Sequence, residues 1–465
     1  MSGINERETY GRATFIHEVL YMTTIPENSR KLVFSLSCIV LFFIGEVAAY
    51  AATYYTATTG FDSNPGTIEQ PFKTIVKGVH SMRAGDTLKI REGTYAERLH
   101  HNSRVVFPSG TSWTNAVTIA AYPGERVVLQ PGSGGSVVSI ETAKQYIIFD
   151  SLIFDAINAN SESTIGIMGG ANHIRFQNCE IKNSFKDGVM IGWGGLGITS
   201  DYNEFINCII HHSGRNGSSQ ISGVNVPGPN TAPGLGRGHG MYIETSYNLV
   251  RSCVIHSNGE YGLKFYYGDP KSGRRANHNT IRDSVLYNNA QNTTRYGHPI
   301  GGGILLATGL NNRAINNIVY NTTPPDPYVH GIDTGYTATE ALIYNNTIYN
   351  VGLGIQVTAT STNAIIKNNI IYKTTHLVTE DKGVGTTWFH NLIDVNPRFV
   401  DAATGNFRLA SSSPAINRGE TLPEVESDIR GVSRPQGIKH DIGAHEFREE
   451  TDSASPNRPA ELSVN

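Results

Sequence analysis

Net charge is scarce in this sequence: 37 Lys and Arg stand against 40 Asp and Glu over 465 residues, a balance of −3. So small an imbalance excludes the global basic field that nucleic-acid binding needs, and nucleic acid is not an expected partner. Long apolar runs are also lacking. The stretch LVFSLSCIVLFFIG at 32–45 is shorter than the roughly 20 residues a membrane span requires, so none is expected in the mature chain. Cysteine is sparse, with four residues, one of them (Cys38) inside that apolar stretch. What is plentiful is glycine, 49 residues, which implies many turns and argues against a helical protein.

The N-terminus reads as a targeting signal. Arg30 and Lys31 precede the apolar stretch, and small residues follow at Ala49 and Ala51. That is the basic, apolar and A-x-A order of a secretory leader, with cleavage near Ala51–Ala52. Met22 is an alternative start, and an uncleaved anchor is the alternative outcome. Residues 1–51 are therefore assigned to a signal peptide with an N-terminal extension. The mature protein is expected to be secreted, periplasmic or at the cell surface, and monomeric.

Internal similarity begins near residue 147. The segments FQNCEI (176–181), FINCII (205–210), VRSCVI (250–255), IRDSVL (281–286), AINNIV (314–319), IYNNTI (343–348) and IKNNII (366–371) align without gaps. Their third positions are Asn178, Asn207, Ser252, Asp283, Asn316, Asn345 and Asn368, at spacings of 29, 45, 31, 33, 29 and 23. A helical repeat would keep a steadier period. Short apolar–polar alternation broken by Gly or Asn is strand patterning. A right-handed parallel β-helix accepts coils of unequal length with like residues stacked in columns about 4.8 Å apart. Asn would then stack on Asn. Cys179, Cys208 and Cys253 would form one inward column, which favours free thiols over a disulfide. A β-propeller is the runner-up, but it needs antiparallel hairpins and a steadier period.

The segment YYTATTGFDSNPGTIEQPFKTIVKGVHSMRAGDTLKIREGTYAE (54–97) and the closing INRGETLPEVESDIRGVSRPQGIKHDIGAHEF (416–447) carry a resemblance. The chain resembles the secreted right-handed β-helix proteins of the polysaccharide lyase group, the pectate lyase-like superfamily. The expected fold class is all-β: a right-handed parallel β-helix with an N-terminal helical cap. Phe72, Ile75, Val76 and Val79 have helical spacing for that cap. One β-helix domain is expected over 52–447, with opening coils at about 54–130, repeat coils at about 147–400 and a closing segment at about 400–447. The polar, Pro-containing 448–465 is expected to be a disordered tail.

A second set of columns locates a face. Gly188, Gly240, Gly262, Gly303, Gly331 and Gly354 align, and the residues that should point outward two positions later are Met190, Tyr242, Lys264, Leu305, Asp333 and Gln356. Two further on lie Gly192, Glu244, Tyr266, Ala307, Gly335 and Thr358. Polar insertions at 213–238, 268–278, 290–300 and 321–329 enter the same coils, as expected of loops walling a groove. For any single residue a solvated salt-bridge face is an equal alternative; the cluster favours a site.

The resemblance implies β-elimination of an acidic, uronate-containing polysaccharide. Candidate proton-handling residues are Lys264, Tyr242, His239 and Tyr266. Candidate substrate-binding residues are Arg274, Arg275, Lys271, Tyr267, Glu244 and Asp333. Like charge and desolvation would suit Lys264 to act as a base, with Glu244 opposing, while arginines suit carboxylates. Ca²⁺ is the one cofactor the resemblance raises, with Glu244, Asp269 and Asp333 as candidate ligands. No dense Asp group of the kind Ca²⁺ prefers is visible. A non-catalytic polysaccharide-binding or adhesin β-helix, a glycoside hydrolase and a uronate epimerase remain the alternatives.

Overall fold

The computed structural model describes residues 51–100, 105–192, 197–214, 238–267, 276–292, 299 and 301–449. The leader and the tail beyond residue 449 lie outside them, as does part of each loop at 213–238, 268–278 and 290–300. Among the described residues the chain winds as a right-handed parallel β-helix with three faces. Sheet A has 12 strands, from Thr53–Thr56 to Thr387–Phe389; sheet B has 11, from Gly93–Tyr95 to Leu392–Ile393; sheet C has 10, from Leu99–His100 to Leu377–Asp381. Neighbouring coils pair in parallel throughout these sheets, which rules out a propeller's antiparallel blades. The helix Ile75–Ser81 buries Ile75 and Val79 on the first coils, capped at its start by Thr74; it is the expected helical cap.

Each repeat coil turns sharply between its sheets, and left-handed residues make the corners. Between sheets A and B this residue is the repeat's third position, with φ of 53–57° at Asn178, Asn207, Ser252, Asp283, Asn316, Asn345 and Asn368. Asn and Asp tolerate that conformation better than other L residues, which explains their recurrence. The next residue points inward. In the later coils it is Asn317, Asn346 and Asn369, each fully buried, with Asn317 Nδ2 donating to Asn346 Oδ1 at 3.0 Å and Asn346 Nδ2 to Asn369 Oδ1 at 3.0 Å. Cys179, Cys208 and Cys253 occupy the same column in the earlier coils, buried and free, as expected. Their thiols do more than pack. Cys208 Sγ donates to the Phe176 carbonyl at 3.4 Å and Cys253 Sγ to the Phe205 carbonyl at 3.4 Å. Asn346 Nδ2 donates to the corresponding Ala314 carbonyl at 2.9 Å.

Aromatic columns line the outside. On sheet B, His211, His256, Tyr287 and Tyr320 follow one another in register. His256 stacks on His211 at 4.9 Å and on Tyr287 at 4.7 Å, within 8° of parallel. At the corner between sheets C and A, Tyr146, His173, Tyr202, Tyr247 and His278 stack in turn. Their faces are spent on one another, so this ladder is structural.

The closing segment adds an antiparallel pair, Phe399–Asp401 with Asn406–Leu409, and then runs back over the A–B corner. There Asn368 Nδ2 donates to the Glu420 carbonyl, Asn345 Nδ2 to that of Asp441 and Asn316 Nδ2 to that of Ser427. The buried Arg434 guanidinium pins the segment through Glu446 at 2.8 Å and the Gly443 carbonyl at 2.8 Å.

Candidate active site on the outer face of sheet C

The glycine column is what lets each chain enter sheet C. A Cβ on Gly240 would stand 2.5 Å from the Gly262 carbonyl oxygen and 2.6 Å from Ile255, and one on Gly331 would stand 2.4 Å from the Gly354 oxygen. Only glycine fits at these close approaches. Past the glycine, alternation fixes which side chains face out. The observed register pairs Met190 with Tyr242, Tyr242 with Lys264, Lys264 with Leu305, Leu305 with Asp333 and Asp333 with Gln356, the column read from the sequence.

Lys264 Nζ stands over two rings, 4.5 Å from the Tyr266 centroid and 5.4 Å from that of Tyr242. Both π faces favour the charged ammonium. The two rings lie 6.3 Å apart. Tyr242 is buried and Tyr266 half-buried. Tyr267 is half-buried at the strand's end, its N–H donating to Thr308 Oγ1 at 2.9 Å.

His239 is nearby, its ring 5.5 Å from that of Tyr242, and it is buried. Its Nδ1 accepts the Tyr261 N–H at 3.2 Å, which puts the imidazole proton on Nε2, 3.1 Å from Glu260 Oε2. With both nitrogens engaged, His239 is better placed to orient its neighbours than to exchange protons with a substrate.

Tyr261 reaches across the intervening strand, packing on Leu305, and donates to Asp333 Oδ2 at 2.6 Å. The same oxygen lies 2.8 Å from His330 Nδ1. Burial together with the Asp333 charge pushes the Tyr261 phenol well above its ordinary value, so it stays a neutral donor. Burial lowers His330, but Asp333 outweighs this and raises the imidazole above its ordinary value. Asp333 is itself buried, and its Oδ1 has no hydrogen-bond partner among the described residues. Sequence patterning points to His239 and Asp333 here, but not to the roles of Tyr261 and His330. A histidine just before each of Gly240 and Gly331 was the available signal.

A profile for the right-handed β-helix region described as Pel9A-like matches residues 54–369. The chain belongs to the Pel9A-like β-helix family. The crystal structure of pectate lyase Pel9A superposes with a TM-score of 0.60 at 17% identity, covering 85% of this chain and 96% of that one. A rhamnogalacturonan lyase covers 82% of this chain with a TM-score of 0.40 at 15% identity. The uncharacterized protein YwoF of Bacillus subtilis (strain 168) is 34% identical over 140 residues, a match spanning 28% of each protein's length.

Within this Pel9A-like helix the charged candidates separate into two groups. Lys271, Arg274, Arg275 and Asp269 lie outside the described residues. Glu244, just past the strand Met241–Ile243, is beside Gly192, and Asp333 lies three strands further along the sheet. About 14 Å of sheet therefore separates their strands, too far for both to bind one Ca²⁺ at its usual 2.3–2.6 Å. Among the described residues no group of three His, Cys, Asp or Glu is arranged to hold a metal. The same separation makes Glu244 and Asp333 a poor carboxylate pair for inverting hydrolysis, which works at roughly 6.5–9.5 Å. No helix among the described residues is long and apolar enough to cross a membrane.

Proposed function

We propose that this chain is an exported polysaccharide lyase that cleaves an acidic, uronate-containing polymer by β-elimination, with the polymer lying along the outer face of sheet C. The observation that carries the reading is Lys264, the sole cation among the outward column residues named above, held over Tyr242 and Tyr266. In the reaction the neutral Lys264 amine takes the proton from C5 of the uronate. The C–H electron pair becomes the C4=C5 double bond, the C4–O4 bond breaks, and the departing oxygen takes a proton from Tyr242. His239 acts as a positioning residue behind Tyr242. The uronate carboxylate must be neutralised before its neighbouring C–H is acidic enough, and Arg274, Arg275 and Lys271 take that part. The ring faces favour ammonium in the free protein. A sugar that occupies the Tyr266 face removes that support as it arrives, which favours the amine when it is needed.

One observation supports a second reading. A lysine held charged between two rings also suits a clamp for carboxylates in a binding protein or adhesin. Lys264→Ala separates the two. Under the lyase reading, turnover of alginate, pectate or a glycosaminoglycan falls by about a hundredfold to ten-thousandfold, while polymer affinity changes only a few-fold. Turnover is followed by the ultraviolet absorbance of the unsaturated product. Near-full activity in the variant removes Lys264 as the base. If the unaltered protein cleaves none of these polymers, with or without added Ca²⁺, but binds them, the binding reading stands.

A further inference from the structure

The strand Val329–Thr339 does not follow its neighbour evenly. Against Gly301–Leu310, Leu306 pairs with Thr334 and Thr308 pairs with Thr337, so Gly335 and Tyr336 together oppose Ala307. This is a bulge of the kind that re-aims a side chain. Tyr336 takes φ of 44° there, a strained conformation for a bulky residue. The coil does not need this strain to turn, because its left-handed corner residue is Glu340, with φ of 53°. The result is a ring that is 54% exposed and stands 4.7 Å from Tyr266, the ring that Lys264 Nζ approaches at 4.5 Å. Small residues make this reach possible. Tyr266, just past the strand Leu263–Phe265, and Tyr336 are two strands apart across the sheet, and between them Ala307 and Gly335 leave the surface low; the atoms nearest a Cβ on Gly335 would belong to Leu305 and Ala307, none closer than 3.4 Å.

We propose that Tyr336 is a sugar-stacking platform. A pyranose unit neighbouring the one at Lys264 lays its C–H face on the exposed side of the ring. The chemistry fits, because the electron-rich ring face attracts the slightly positive C–H groups of a sugar, and the row Tyr242–Tyr266–Tyr336 continues the candidate site along the direction in which coils stack. Local strain held beside a candidate site, where the scaffold has no use for it, is what a binding role explains. This platform rests on the proposed reading to the extent that a polysaccharide lies on sheet C. It does not depend on which reaction follows.

Tyr336→Gly removes the ring and suits the left-handed backbone, so the fold and its melting temperature should be retained; Tyr336→Phe keeps the ring. Affinities for polygalacturonate and alginate are measured by calorimetry, with dextran as a neutral control. The expected result is about tenfold weaker binding in Tyr336→Gly, a loss of roughly 1.4 kcal/mol, and unchanged binding in Tyr336→Phe. Parent-like affinity in Tyr336→Gly overturns the platform while leaving the polysaccharide reading intact. Equal weakening in both variants overturns stacking, because the hydroxyl would then be the contact. If the unaltered protein binds neither uronate polymer, the polysaccharide reading fails and the platform with it.

Discussion

His256→Tyr should make this protein markedly more resistant to acid. His256 sits in the outer column of sheet B between His211 and Tyr287, with His212 beside it and Glu180 hydrogen-bonded to His211. Burial, with His211 and His212 alongside, pushes its imidazole down from 6.5 to about 3. The folded pKa therefore lies below the unfolded one. Between these values the unfolded chain holds a proton that the native state refuses, so stability is lost as pH falls through about 6.5. Each pH unit costs about 1.4 kcal/mol, which makes the loss about 2 kcal/mol at about pH 5. His212, pushed down to about 4 mainly by burial, acts in the same direction. Glu180 behaves oppositely. Burial works against its charge, but hydrogen bonds from His211 and Lys182 outweigh that and hold it at about 2, so its contribution persists until stronger acid. Tyrosine already fills this column at 287, 320, 349 and 372, so the substitution continues the stack and removes the titrating group. Unfolding free energies from urea titrations of parent and variant should agree near pH 8 and diverge by about 2 kcal/mol at about pH 5. An equal acid loss in both would show that the imidazole protonates without penalty and refute the reasoning. In the variant only the smaller acid loss contributed by His212 should remain.

Two further outcomes test the scaffold. Gly240→Ala places a Cβ against the Gly262 carbonyl and should cost at least about 1–3 kcal/mol in thermal or chemical unfolding, whereas Gly132→Ala, with nothing within 4 Å of the new atom, should be near neutral; equal effects would remove the close-approach explanation. Arg434→Met strands Glu446 as an unpaired buried carboxylate and should cost about 3–5 kcal/mol, and a melting temperature close to the parent's would show that the pair is not what fastens the closing segment.

The fold was legible because two independent periodicities agree. Asn or Asp recurs where the corner needs a left-handed residue, and the alternation after each glycine fixes the outward side. Those two facts were enough to place Tyr242, Lys264 and Asp333 in one column. Tyr261 was not legible as a partner of Asp333, because its ring crosses a strand and sequence alternation describes only neighbours along one strand. Tyr336 was hidden for a sharper reason. A bulge breaks the period-two rule on which the reading depended, so the residue it throws out falls in no column. His239 stands out in the sequence by position, but the backbone N–H that occupies its Nδ1 belongs to the next coil and leaves no mark in the local sequence.

The strap over the A–B corner changes what kind of object the solenoid is. An array whose coils touch only their neighbours can fray from either end, one coil at a time. Here residues 316, 345 and 368 are tied to partners 111, 96 and 52 positions away in the chain. The last coils must therefore open together. A chain made from its N-terminus can stack its early coils as they appear, including the one that carries Lys264, yet it cannot lock its far end until Glu446 has been added. Synthesis then finishes with the segment that fastens the far end, and truncation upstream of residue 420 removes all three strap contacts at once.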